Sequence, residues 1–127
     1  MSNAHILVVD DNPTNLKLVS DLLECYNYEI SKAMDAEQAQ ECIRWKTPDL
    51  ILMDIGLPGM DGLTLTRLLK ADDSTKRIRI IALTAFAMKG DEQKALDAGC
   101  DGYITKPIDT RSLPDQVARR LRCEITS

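Results

Sequence analysis

The chain has 127 residues, 44% hydrophobic and 28% charged, with six glycines and five prolines. That length suits a single domain whose core needs no disulfide or metal staple, and the composition excludes disordered and fibrous classes. A formal net charge of −4 sets the surface against phosphate backbones and anionic lipid, so no direct nucleic-acid or membrane binding is expected.

Ile6-Leu7-Val8-Val9 is a short, β-branched apolar run that predicts a first strand, and it ends in Asp10 and Asp11. Asn12-Pro13 then reads as a helix cap and first helical residue, with Leu16, Val19, Leu23 and Tyr26 recurring at helical spacing. Tyr28 to Ser31 alternates weakly and suits an edge strand. Asp35 with Gln38 resembles a capping box for a second helix, whose inner stripe is Ala39, Cys42 and Ile43. Leu50 to Met53 is an unbroken apolar run suited to a strand buried on both faces, and Asp54 ends it. A glycine-rich turn leads to a third helix over about 62 to 72, with Leu65, Leu68 and Leu69 facing inward. Ile78 to Leu83 gives a fourth strand ending in Thr84-Ala85, and 88 to 98 a fourth helix stopped by Gly99. Gly102 to Ile104 is a short fifth strand. The last helix should run from near Ser112 to about Arg122, with Leu113, Val117 and Leu121 inward, and Pro114 must sit in its first turn or kink it.

The four cysteines, Cys25, Cys42, Cys100 and Cys123, are scattered singly, with only His5 to join them, which argues against zinc. Each lies in or beside an apolar segment and reads as a small buried hydrophobe; free thiols suggest the reducing cytoplasm. No apolar run approaches the length of a signal-peptide core or a membrane span.

Strand and helix alternate five times with short connections and no internal repeat. The expectation is an α/β fold, a doubly wound parallel sheet with helices on both faces, in one domain over 1–127 with a core of about 5–123. Such sheets gather function at the carboxyl ends of their strands. Asp10, Asp11, Asp54, Thr84 and Lys106 all fall there. Taken singly, each has a plain alternative: Asp54 could be a solvated strand-end aspartate that starts a turn, and acidic pairs often cap helices. Taken together, three crowded carboxylates would resist ionising without a cation. Oxygen-only donors favour a hard ion, and an incomplete cage favours Mg²⁺ over Ca²⁺. The arrangement suits phosphoryl transfer, with Asp54 as nucleophile, Lys106 as a second positive charge, and Thr84 with the amide of Ala85 on a phosphate oxygen.

The runs Val8-Val9-Asp10-Asp11-Asn12, Asp49 to Asp54 with Leu57 to Gly62, Ala82-Leu83-Thr84-Ala85 and Tyr103-Ile104-Thr105-Lys106-Pro107 resemble the receiver domain of two-component response regulators, over nearly the whole chain. The stretch 85 to 92 with Gly99-Cys100 looks most like the stand-alone DivK type. The resemblance implies a flavodoxin-like (βα)5 sheet in strand order 2-1-3-4-5. It implies that Asp54 accepts phosphate from a histidine of a sensor kinase or phosphotransfer protein, and that Asp11, Asp54 and the Gly56 carbonyl bind Mg²⁺ with help from Asp10. Lys106 would contact the phosphoryl group. Thr84 and Tyr103 would act as the switch, altering the face of the fourth helix, fifth strand and fifth helix that meets a downstream protein. Gly56 and Phe86 occupy positions that in the family govern access of water, so the lifetime of the phosphorylated state is left open. Dimerisation through the switch face is also left open.

Some readings stay open at this point. Tyr103 could be an edge-strand aromatic packed against the fourth helix. Arg111, Arg119, Arg120 and Arg122 form either a solvated helix surface or a match for an acidic partner. An aspartyl-nucleophile phosphohydrolase of the haloacid dehalogenase type is a rival function, although that family places a D-x-D pair after its first strand. A flavin or nucleotide carrier is another, although no glycine-rich phosphate cradle follows the first strand. Enzymatic activity beyond self-phosphorylation and slow dephosphorylation is not expected. The chain could equally be a stand-alone regulator or a receiver belonging to a larger regulator or hybrid kinase.

Overall fold

A computed structural model describes residues 4–55, 62–84, 89–105 and 108–126, with backbone alone at 89–92 and 122–126. Strands β1 (His5–Val9), β2 (Glu29–Ala33), β3 (Leu50–Asp54), β4 (Arg79–Thr84) and β5 (Gly102–Thr105) alternate with helices α1 (Pro13–Glu24), α2 (Ala36–Trp45), α3 (Gly62–Ala71), α4 (Lys89–Ala98) and α5 (Leu113–Thr126). All strand pairings are parallel, in the order β2-β1-β3-β4-β5. This is the doubly wound, flavodoxin-like arrangement expected from the sequence.

Alternation along each central strand splits the core into two layers. Leu7, Val9, Ile51, Met53, Ile80 and Ala82 pack with Ala39 and Ile43 of α2, Leu65 and Leu69 of α3, and Ala95 of α4. Ile6, Val8, Leu50, Leu52, Ile81 and Leu83 pack on the other face with Leu16, Val19 and Leu23 of α1 and Leu113 and Val117 of α5. The fully buried central strands explain why β1, β3 and β4 read as unbroken apolar runs rather than alternating ones. The edge strand β2 is mostly exposed or half-buried.

Caps place the helices. The Asn12 side chain accepts from the Thr14 and Asn15 amides, with Pro13 at the first helical position, and Asp35 accepts from the Gln38 amide. Gln38 Oε1 in turn accepts from the Met34 amide at 3.0 Å, one residue ahead of the usual capping-box partner. Pro114 falls in the first turn of α5 without breaking it, where its missing N–H costs nothing.

Four expectations need correction. Tyr26 lies beyond α1 and is 56% exposed, because the helix ends in a turn in which Asn27 takes a left-handed φ of 67°. Leu68 is exposed on α3, off the narrow stripe of Leu65 and Leu69. Cys25 is exposed at the end of α1, whereas Cys100 is buried. The last helix continues to Thr126.

Candidate functional site

Two strands deliver the acidic residues. Asp10 follows Val9, and its N–H still donates to the Ala33 carbonyl at 3.0 Å, extending the β1–β2 ladder by one step. Its Oδ1 then accepts from the Asn12 amide at 2.9 Å, an Asx turn that bends the chain out of the sheet and into α1. The turn lifts Asp11 into solvent, while Asp10 is 1% exposed. Asp54 closes β3, level with Leu83 of β4, and is 6% exposed.

By strand parity, Asp10 continues the face of Ile6 and Val8, and Asp54 that of Leu50 and Leu52, which are the residues packed under α1 and α5. The two carboxylates therefore leave neighbouring strands on the same side. Asp10, Asp11 and Asp54 each offer a carboxylate oxygen, and the three oxygens lie within 4.8 Å of one another.

The backbone behind Asp54 is built to a tight tolerance. The Ile55 amide donates to the Leu83 carbonyl at 3.2 Å, and the Gly62 amide returns to the Ile55 carbonyl at 3.4 Å. A Cβ at Gly62 would run into the Asp54 carbonyl oxygen and stand 2.9 Å from the Ile55 Cα. Glycine is thus required here for close approach of two backbone segments. Thr66 fixes this start of α3 from within, its buried hydroxyl donating to the Gly62 carbonyl at 2.8 Å. Sequence reading placed Gly62 where the glycine-rich turn meets the third helix; its packing against Asp54 depends on two segments meeting in space.

Thr84 ends β4 one residue beyond Leu83, the partner of Asp54, and is buried at 2% exposure. It pairs with Thr105 at the end of β5. Tyr103 lies opposite Ala82 and is 38% exposed, lining a groove of about 560 Å³ with Ile81, with Ser112 just ahead of α5, and with Asp115, Gln116, Arg119 and Arg120 of α5. Gly56, Ala85, Phe86 and Lys106, singled out in the sequence, lie outside the described residues.

Three carboxylates, two of them buried, are costly to keep charged together without a cation. Oxygen donors alone, on one side open to solvent through Asp11, fit a hard divalent ion that keeps part of its water shell. At the opposite end of the sheet a second polar cluster has a structural role: Lys70 Nζ donates to the Ile78 carbonyl at 2.8 Å and to Asp101 at 3.1 Å, and Asp101 accepts the Ile80 amide at 2.8 Å. Among the described residues, no helix is long and apolar enough to cross a membrane.

Comparison with known proteins agrees with this geometry. The family model for the response regulator receiver domain matches residues 6–118. The polar-differentiation response regulator DivK of Brucella anthropi is 48% identical over 103 residues, covering 81% of this chain and 84% of that protein. A response regulator structure from Chloroflexus aurantiacus superposes with a TM-score of 0.90 at 30% identity, over 94% of this chain and 98% of the other. The receiver domain of a sensor histidine kinase from Pseudomonas aeruginosa, solved with magnesium ion coordinated in its active site cleft, gives a TM-score of 0.82 at 35% identity over 98% and 99% of the two chains. A largely buried acidic cluster, open to solvent at Asp11, stands at the carboxyl ends of β1 and β3 on this sheet order, and with a family match over most of the chain it identifies the protein as a response regulator receiver domain of the DivK-like kind.

Proposed function

We propose that Asp54 is the phosphoacceptor of this receiver, loaded from a phosphohistidine on a sensor kinase or phosphotransfer protein. The observation that carries the reading is the meeting of Asp10, Asp11 and Asp54 oxygens within 4.8 Å at the mouth of the sheet. An Asp54 carboxylate oxygen attacks phosphorus, a P–O bond forms as the P–N bond of the donor breaks, and the released imidazole nitrogen takes up a proton. Asp10, Asp11, Asp54 and the Gly56 carbonyl would hold Mg²⁺. When bound, the ion neutralises charge between the carboxylates and the phosphoryl oxygens.

Around that centre, Thr84 and the Ala85 amide are assigned to a phosphoryl oxygen and Lys106 to its charge. Burial of Thr84 at the end of β4 supports its part. Tyr103 is assigned the role of reporter, since it lines the groove between β5 and α5 where a downstream protein would read the change. The phosphoryl group adds a near-dianionic charge that binds one arrangement of this end better than the other and so shifts a pre-existing equilibrium, typically by about 1–3 kcal/mol. The chain is proposed to act as one domain over 1–127, in the cytoplasm, catalysing only its own phosphorylation and slow dephosphorylation. The free thiols of Cys25, Cys42 and Cys100 suit that compartment. Self-association is part of the proposal and is taken up below.

The test is incubation with Mg²⁺ and acetyl phosphate, followed by intact-mass measurement. One added phosphoryl group, absent in Asp54→Ala and absent when the metal is chelated, is the expected result. Continuous turnover of a phosphomonoester would instead favour a hydrolase.

A further inference from the structure

We propose that the outward face of α2 around Trp45 is a self-association surface, on which two copies of this chain pair with their α2 helices antiparallel. Trp45 is the sole tryptophan and is 90% exposed at the end of α2. Aromatic side chains of this kind bury about 150–250 Å² when covered, and tryptophan dominates interface hot spots. Among the described residues the other large apolar side chains are at most 56% exposed, so Trp45 is the most exposed of them.

The occupant follows from what surrounds it. A two-fold contact needs a patch that complements itself in both shape and charge. Shape leaves room for such a contact, since shallow open hollows lie beside the knob: one is lined by Glu41, Arg44 and Trp45, and another, of about 490 Å³, runs from Trp45 past Cys42 to Lys46 and Ser31. The charge requirement is met because α2 has acidic Glu37 in its first turn and basic Arg44 in its last. Glu41 and Arg44, both exposed, make no ion pair with a described residue. An antiparallel partner set with its Arg44 against Glu41 satisfies two such pairs at once, opposes the two helix dipoles favourably, and brings each indole over the middle of the other helix.

The contact is weak by size. Two ten-residue helices bury less than the roughly 1,200–2,000 Å² of a standard interface, so a dissociation constant on the order of 10 µM to 1 mM is expected. The geometry leaves the signalling site open. α2 runs back from the carboxyl end of β2, so Trp45 lies at the amino end of the sheet, where Lys46 pairs with Glu29 at the start of β2, away from Asp10, Asp11 and Asp54.

A single tryptophan makes the test direct. Sedimentation and Trp45 emission are followed together on the full chain from micromolar to about 1 mM, the weak end of that range. The average mass should rise toward that of a dimer, by about half or more at the top concentration, as the emission moves to shorter wavelength. Trp45→Ala should stay monomeric, which is safe for the fold at this exposure. Glu41→Arg and Arg44→Glu should each lose the dimer, and an equimolar mixture of the two should regain it. A wild-type monomer with unshifted emission at the top concentration overturns the proposal, as does a dimer that survives in Trp45→Ala. Asp54→Ala should dimerise like wild type, so this proposal and the phosphoacceptor assignment fail separately.

Discussion

Asp10 binds the amide of Asn12 at 2.9 Å, and Asn12 in turn caps α1, so the residue that supplies negative charge to the cluster also sets the turn that carries Asp11 over it. Charge and geometry are separable at this position. Asp10→Asn keeps an acceptor for the Asn12 amide and removes one charge from the cluster. Mg²⁺ affinity should fall by about tenfold or more, the size of a change of about 1.4 kcal/mol. Stability in metal-free buffer should rise by about 1 kcal/mol as repulsion is relieved. Calorimetric titration and urea melts check both signs.

Gly62→Ala should act on the same site from behind. Its Cβ cannot be placed without moving the Asp54–Ile55 backbone. Overpacking against a backbone costs about 1–3 kcal/mol. Phosphorylation by acetyl phosphate should slow as well, because Asp54 is displaced. An alanine variant of full stability and rate would show that the approach of α3 to β3 is looser than this geometry requires.

The Lys70–Asp101 pair at the other end of the sheet should matter for stability alone. Its side chains are only 20% and 26% exposed, and Asp101 also holds the Ile80 amide. Asp101→Ala leaves that amide without its acceptor and the Lys70 ammonium with the Ile78 carbonyl but no counter-charge, and should cost about 2–4 kcal/mol by denaturant unfolding. The yield of phosphorylated protein below the melting range should be unchanged.

Cys100 gives a pH-dependent readout. Burial pushes its thiol above the ordinary value of 9.0, outweighing the hydrogen bond to Thr66, so the neutral form is favoured in the folded chain. A folded pKa above the unfolded one contributes stability that is fully present below the ordinary thiol pKa and is lost as pH rises through the raised value. Stability should therefore decline on the alkaline side, less so in Cys100→Ala after correction for its cavity. At neutral pH a thiol reagent should label exposed Cys25 promptly and Cys100 only on unfolding.

How much of this was legible beforehand follows from what each signal measures. Apolar runs ending in Asp10, Asp54 and Thr84 report burial and its sudden end, which suffices to find the central strands and place the carboxylates at their ends, whereas the order of the strands in the sheet came from the family resemblance. Asn12-Pro13 and Asp35 with Gln38 act through local hydrogen bonds and were readable for the same reason. Tyr26, Leu68 and Cys25 were misjudged because periodicity gives the direction of a stripe and not its width or its last turn. Gly62 behind Asp54 and the Lys70–Asp101 pair join segments far apart in the chain.

The most direct measurement is to locate the phosphoryl group. Borohydride reduction of the acetyl phosphate-treated protein turns an aspartyl phosphate into homoserine, which tandem mass spectrometry assigns to a residue. Homoserine at position 54 alone is the predicted outcome. Homoserine at Asp10 or Asp11, or an unmodified chain under saturating Mg²⁺, would contradict it.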